Sequence, residues 1–183
     1  MRLSLVMALL ALTACVEQTE PRTQLTQDAE VQALADTITA LGPAVDASEA
    51  FAIAQSALSY SLEQRRLYGV STPALTHNIL VNSGLKERGL CHHWADDLRK
   101  HLQQLDVSTV VFQRVLANHV NSWRIEHSAL VVTLPRQGID GGIVLDGWRD
   151  GGDLFWSAVE DDPRYDWVEI RQALAEKRAA RKT

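Results

Sequence analysis

Cysteine is scarce in this chain, with two residues in 183. That excludes the disulfide-stapled class of small scaffolds, which needs several paired cysteines. No Cys-x-x-Cys or His-x-x-x-His pair occurs either, so a zinc site has no starting motif. No apolar run reaches the roughly 20 residues that a membrane-spanning helix requires. Basic residues are not in excess: 18 Lys and Arg stand against 23 Asp and Glu, for a net charge of −5. With the two signs interspersed, there is no electrostatic footprint for nucleic acid. Internal repeats are absent. What remains is a chain long enough for one domain with a substantial core and short for two.

The first of the two cysteines has a specific setting. Met1-Arg2 gives a short positive start and Leu3 to Leu12 an apolar run, the order an export signal requires. Leu12-Thr13-Ala14-Cys15 then resembles the lipobox of bacterial lipoproteins, in which the cysteine is acylated before cleavage. The resemblance implies a signal peptide over 1–14, lipidation of Cys15 and residence in the cell envelope. Val16 stands where an Asp would imply inner-membrane retention, so the outer membrane is expected. Several acyl chains hold a domain firmly, since each buried methylene contributes about 0.8 kcal/mol. Cleavage leaves 169 residues (183 less 14) and, with Arg2 gone, a net charge of −6. Residues 15–27 are polar and aperiodic and read as a tether, leaving 28–183 as a single domain.

Within that domain the periodicity changes once. Val31, Leu34, Ala35, Ile38 and Leu41 fall at helical spacing, with Asp28 as cap and Gly42-Pro43 as stop. A second helix opens at Asp46-Ala47-Ser48-Glu49, which has the spacing of a capping box, and runs to Tyr68. A third starts at Thr72-Pro73. A fourth carries Cys91, Trp94, Ala95, Leu98, Leu102 and Leu105 on one face. Beyond Asp106 the runs become β-branched and aromatic: Val107 to Val115, Arg124 to Leu134, Ile143 to Trp148 and Leu154 to Val159 read as strands, punctuated by glycines. Helices first and an antiparallel sheet second is an α+β arrangement. The tail from Trp167 ends in Lys177, Arg178, Arg181 and Lys182, basic residues that suit a solvated helix end.

The second cysteine, Cys91, is the residue that asks for chemistry. A thiol reacts as thiolate, and the unpaired amides of a helix start favour that form. A nucleophilic thiol also needs an imidazole to take its proton and a carboxylate or amide to orient that imidazole. His127 in Arg124-Ile125-Glu126-His127-Ser128-Ala129 and Asp146 in Ile143-Val144-Leu145-Asp146-Gly147-Trp148 each interrupt an apolar strand. If the two strands form a hairpin, any odd register sum puts both side chains on one face, and a turn centred between Arg136 and Gln137 sets them opposite. Of the other histidines, His119 lies in the polar stretch Ala117-Asn118-His119-Val120-Asn121-Ser122, which reads as a loop that leaves its orientation loose. His127 has strand neighbours Ile125, Ala129 and Val131 on its own face to hold it.

Gly89-Leu90-Cys91 opening a helix, then a strand histidine 36 residues on (127 − 91), then a next-strand aspartate 19 further (146 − 127), resembles the transglutaminase-like branch of the papain-like superfamily. The resemblance covers roughly Pro73 to Val159. It implies a papain-like core with Cys91 as nucleophile, His127 as general base and then acid, and Asp146 as orienting carboxylate. The implied activity is acyl transfer from a protein, peptide or peptidoglycan amide, by hydrolysis, deamidation or transfer to an amine, with no cofactor. For the oxyanion, the Cys91 amide is one natural donor, and Asn78, Asn82 and Trp94 are candidates for the second. A different class of reading keeps the fold as a non-catalytic binding lipoprotein. A metal site is disfavoured, because adjacent His92 and His93 point in different directions on a helix. Tryptophans 94, 123, 148, 156 and 167 read mainly as core, with Trp148 and Trp156 near enough to line a substrate groove.

Overall fold

A computed structural model describes residues 24–121 and 123–180. Cys15 and the 1–14 leader lie outside the described residues. The chain is α+β: α1 (Gln24–Thr39), α2 (Ala47–Leu67), α3 (Ala74–Asn82) and α4 (Cys91–Leu102) precede a five-stranded antiparallel sheet. Its strands are β1 (Val111–Ala117), β2 (His127–Thr133), β3 (Ile143–Asp150), β4 (Asp153–Ala158) and β5 (Val168–Glu169), in the order β4-β3-β2-β1-β5. A closing helix, α5 (Ile170–Ala180), follows the sheet. No helix among the described residues is long and apolar enough to cross a membrane.

The helices bury the faces that their spacing predicts. Leu34, Ile38, Ile53, Leu98 and Leu102 are essentially inaccessible and meet Leu130, Val132, Ile143 and Leu145 from one sheet face. Each such side chain contributes about 1.5–3 kcal/mol relative to exposure. Residues of the other parity, Val115, Ala129, Val131 and Val144, form a second core with Val159 and Trp167. Because both faces are covered, β2 is buried along its whole length, the polar His127, Ser128 and Thr133 included.

Several boundaries differ from expectation. α1 begins at Gln24, so residues 24–27, expected in the tether, are helical. Asp46 caps α2 by accepting from the Ser48 and Glu49 amides, at 2.8 and 3.0 Å. Glu49, however, does not return to Asp46 as a capping box requires. Its carboxylate instead accepts from the backbone amides and hydroxyls of Ser108 and Thr109, 59 and 60 residues away. Those amides are thereby withdrawn from the sheet, and β1 starts at Val111 rather than Val107. β2 starts at His127 rather than Arg124, since Asn118 Nδ2 donates to the Ile125 carbonyl and Arg124 turns toward the Arg164 carbonyl.

Candidate active site

Cys91 is the first residue of α4, and the segment before it is tightly specified. Gly89 has φ +124, a region natural only to glycine, and a Cβ there would overlap the His77 imidazole. Its carbonyl accepts from Trp94 Nε1 at 3.0 Å. His93 Nδ1 accepts from the Gly89 and Leu90 amides at 3.2 and 3.3 Å. Burial, with the nearby His92 and Arg88 charges, lowers the His93 pKa, which keeps the ring neutral and able to accept. Below the helix start, Gln64 Nε2 donates to the Trp94 carbonyl and Tyr68 Oη to Asp97. The thiol therefore sits on a fixed platform, half-buried, with Sγ 3.8 Å from the Glu126 carbonyl.

His127 and Asp146 meet on neighbouring strands. The pairs Leu130↔Leu145, Val131↔Val144 and Val132↔Ile143 set the register. It lies two residues from the one in which 127 and 146 are directly opposite, and the odd sum keeps both on one face. The contact is thus diagonal, completed by a register shift between Asp146 and Asp150 that re-aims the end of β3. Gly147 sits in this irregular stretch, where a Cβ would stand 2.5 Å from Ser61 Oγ and 2.9 Å from Trp94. His127 Nε2 lies 2.7 Å from Asp146 Oδ2, and both side chains are almost wholly buried. The opposite ring nitrogen, Nδ1, is buried without a hydrogen-bond partner.

Electrostatics favour a charged imidazole. Burial alone would depress the His127 pKa, but the Asp146 carboxylate prevails and, together with Cys91, raises it to about 9. Asp146 shows the converse balance: complete burial opposes its charge, while His127 and Arg149 hold its carboxyl below the usual range. The carboxylate is saturated with donors. The Trp148 and Arg149 amides reach Oδ1 at 3.1 and 3.2 Å, and Arg149 Nε reaches Oδ2 at 3.1 Å. Arg149 also grips Asp162 with both terminal nitrogens, at 3.1 and 2.6 Å, and Trp167 Nε1 donates to Asp162 at 2.9 Å. Charges of alternating sign therefore run inward from His127 through Asp146 and Arg149 to Asp162. Carboxylates accepting two or more donors in a buried setting are held rigidly.

The imidazole is clamped by aromatic rings, where strand aliphatics were expected. The Trp148, Tyr165 and Trp167 centroids lie 4.6, 4.5 and 5.4 Å from its own. Ile125, expected to share in that task, is exposed and lies outside the strand. His119 is likewise not loose: its Nε2 pairs with Glu176 on α5 at 2.5 Å. Trp156 packs into the helix-side core, away from the groove expected for it, while Trp123 is 97% exposed.

Cys91, His127, His92, Asn78 and Asn82 all line one cavity of about 260 Å³. Asn78 Oδ1 accepts from Trp148 Nε1 at 3.0 Å, which leaves its NH2 as the group it can offer that space. Trp94, a third candidate donor, is already spent on the Gly89 carbonyl. Among the described residues no group of three or more His, Cys, Asp or Glu side chains is placed to hold a metal ion. Sequence reasoning missed Arg149, Asp162, Tyr165 and the clamping role of Trp167. No protein-family model, curated protein or solved structure matches this chain.

Proposed function

We propose that this protein is a cysteine hydrolase or acyltransferase that attacks an amide of a protein, peptide or peptidoglycan, on a papain-like, transglutaminase-like core. One observation carries the reading: His127 has one ring nitrogen tied to a buried carboxylate and the other left without a partner, and it shares a cavity with the thiol at a helix start. In the first step the Cys91 thiol proton passes to His127 Nδ1, Sγ forms a bond to the amide carbon, and the carbonyl π pair moves to oxygen, where the oxyanion is met by the Cys91 backbone amide and the Asn78 NH2. The C–N bond then breaks as His127 Nδ1 gives its proton to the departing nitrogen. Water or an amine, deprotonated by the same nitrogen, releases the acyl group from sulfur. Asp146 stays ionised throughout and fixes the tautomer and angle of the ring.

Alkylation by iodoacetamide tests the reading in a Cys15→Ser background, where Cys91 is the single thiol. At pH 7 Cys91 is expected to react about tenfold faster than a free cysteine, whose pKa is near 8.5. Reaction at the rate of a free thiol would overturn the catalytic reading and leave the binding lipoprotein in its place. For the anchor, we propose lipidation of Cys15 and an outer-membrane position, on the strength of the lipobox-like run. Cys15→Ser should move the protein from the membrane fraction to the soluble one, and a wild-type chain recovered soluble and unacylated would overturn the anchor.

A further inference from the structure

His127 belongs to the walls of two cavities. The one described above holds Cys91 and Asn78. The other, of about 340 Å³, has Leu75, Trp123, Ile125, Trp148, Tyr165 and Arg124 in its lining and does not include Cys91. Acyl transfer gives this arrangement a direction. The acyl part of a substrate stays on Sγ, next to the oxyanion donors, whereas the departing amine must lie against the imidazole that protonates it. A substrate running from the thiol past the ring enters the second cavity with its leaving side.

The lining of that cavity specifies a chemistry. Leu75, Trp123 and Ile125 are 55%, 97% and 59% exposed, large apolar side chains gathered at one mouth. Grouped exposure of this kind marks a binding surface, where scattered residues would not. The buried Trp148 and half-buried Tyr165 continue the apolar wall inward to the His127 ring. Beside the His127 ring itself, the cation at the site is Arg124. Its Nη2 donates to the Arg164 carbonyl at 2.8 Å and its guanidinium lies 5.5 Å over the Tyr165 ring, so it is held in place. Among the described residues it has no carboxylate partner, and the lining contains no Asp or Glu. Glu126, two residues away, is engaged by Lys177. A fixed guanidinium beside an apolar wall is matched by a carboxylate, which it binds through paired donors. The volume is at the lower end of the roughly 300–1,000 Å³ of small-ligand sites, which suits a short segment.

We propose that this cavity is the leaving-side subsite and takes an apolar or aromatic residue bearing a free carboxylate, so that the chain removes a carboxy-terminal apolar residue. The proposal rests on Cys91 being the acyl acceptor, but its test does not depend on turnover. A Cys91→Ser variant of the full chain is titrated, by tryptophan fluorescence and calorimetry, with N-acetyl-L-phenylalanine, with N-acetyl-L-phenylalanine amide and with N-acetylglycine. The acid is expected to bind at least tenfold more tightly than the amide and than N-acetylglycine. Arg124→Gln should remove the preference for the acid over the amide, and Arg124→Lys should restore part of it. Equal binding of acid and amide, an undiminished preference in Arg124→Gln, or no binding of the acid at millimolar concentration would each overturn the subsite. None of these bears on iodoacetamide reactivity, so loss of the subsite and loss of the thiol reading are told apart.

Discussion

His127→Ala should slow alkylation of Cys91 at pH 7 by about tenfold and abolish amide cleavage, whereas His119→Ala should alter either by less than about threefold. The asymmetry follows from position. His127 is held charged up to about pH 9 by Asp146 and lies beside the thiol, so across the neutral range a thiolate there has a cation to face. His119 is just as firmly held, but by Glu176 on α5, and the Cys91 cavity does not include it. Since the imidazolium persists below its raised pKa and is lost above it, the advantage of wild type over His127→Ala should hold through the neutral range and fade as pH rises past about 9. Alkylation rates measured from pH 5 to 10 decide the matter. A wild-type profile in His127→Ala, with a collapsed one in His119→Ala, would show the base to be misassigned.

Arg149→Met should lower stability by about 3–5 kcal/mol, because it removes the one guanidinium that two buried carboxylates, Asp146 and Asp162, share and leaves them facing each other without a cation between. For a domain of this size that is a fall of roughly 6–20 °C in Tm. Methionine fills much of the same space, so the loss is electrostatic and not a matter of volume. Adding Asp162→Asn to Arg149→Met removes one of the two uncompensated charges and should recover part of the loss. Thermal unfolding followed by circular dichroism measures both. A Tm within about 2 °C of wild type for Arg149→Met would mean that the charge chain does not hold the site together.

The parts that were legible in the sequence are those governed by local rules. Asp46 and the spacing after it marked α2, and Gly89 before Cys91 marked a helix start. His127 and Asp146 stood out because each interrupts an apolar run. What was not legible depends on partners far along the chain. Glu49 had the right position for a capping box, yet Ser108 and Thr109 outcompete the local amide. β5 has two residues and is too short to carry a period. Arg149 reads in isolation as an ordinary solvated charge; only the fold, by bringing Asp162 beside Asp146, makes it a buried linchpin of the site. Trp94, Trp148 and Trp167 are buried as their apolar bulk suggests, and Trp148 lies at the site as expected, but composition cannot tell Trp148 against the imidazole from Trp123 in the open.

The diverted glutamate ties the folding of the two halves together. Glu49 joins the first turn of α2 to the strand entrance at residues 108 and 109, so the helical half does not complete its own network until the sheet has arrived. Closing a loop of about 60 residues costs chain entropy before the joint is made, which puts it among the late, non-local contacts of folding. The same joint is acid-labile. Hydrogen bonds from Thr109 and Ser108 hold the Glu49 carboxyl below its usual range, so its contribution is present above the ordinary glutamate pKa and fades as pH falls through the lowered one. Acid below the ordinary glutamate range therefore loosens the seam between helices and sheet, at some distance from the thiol.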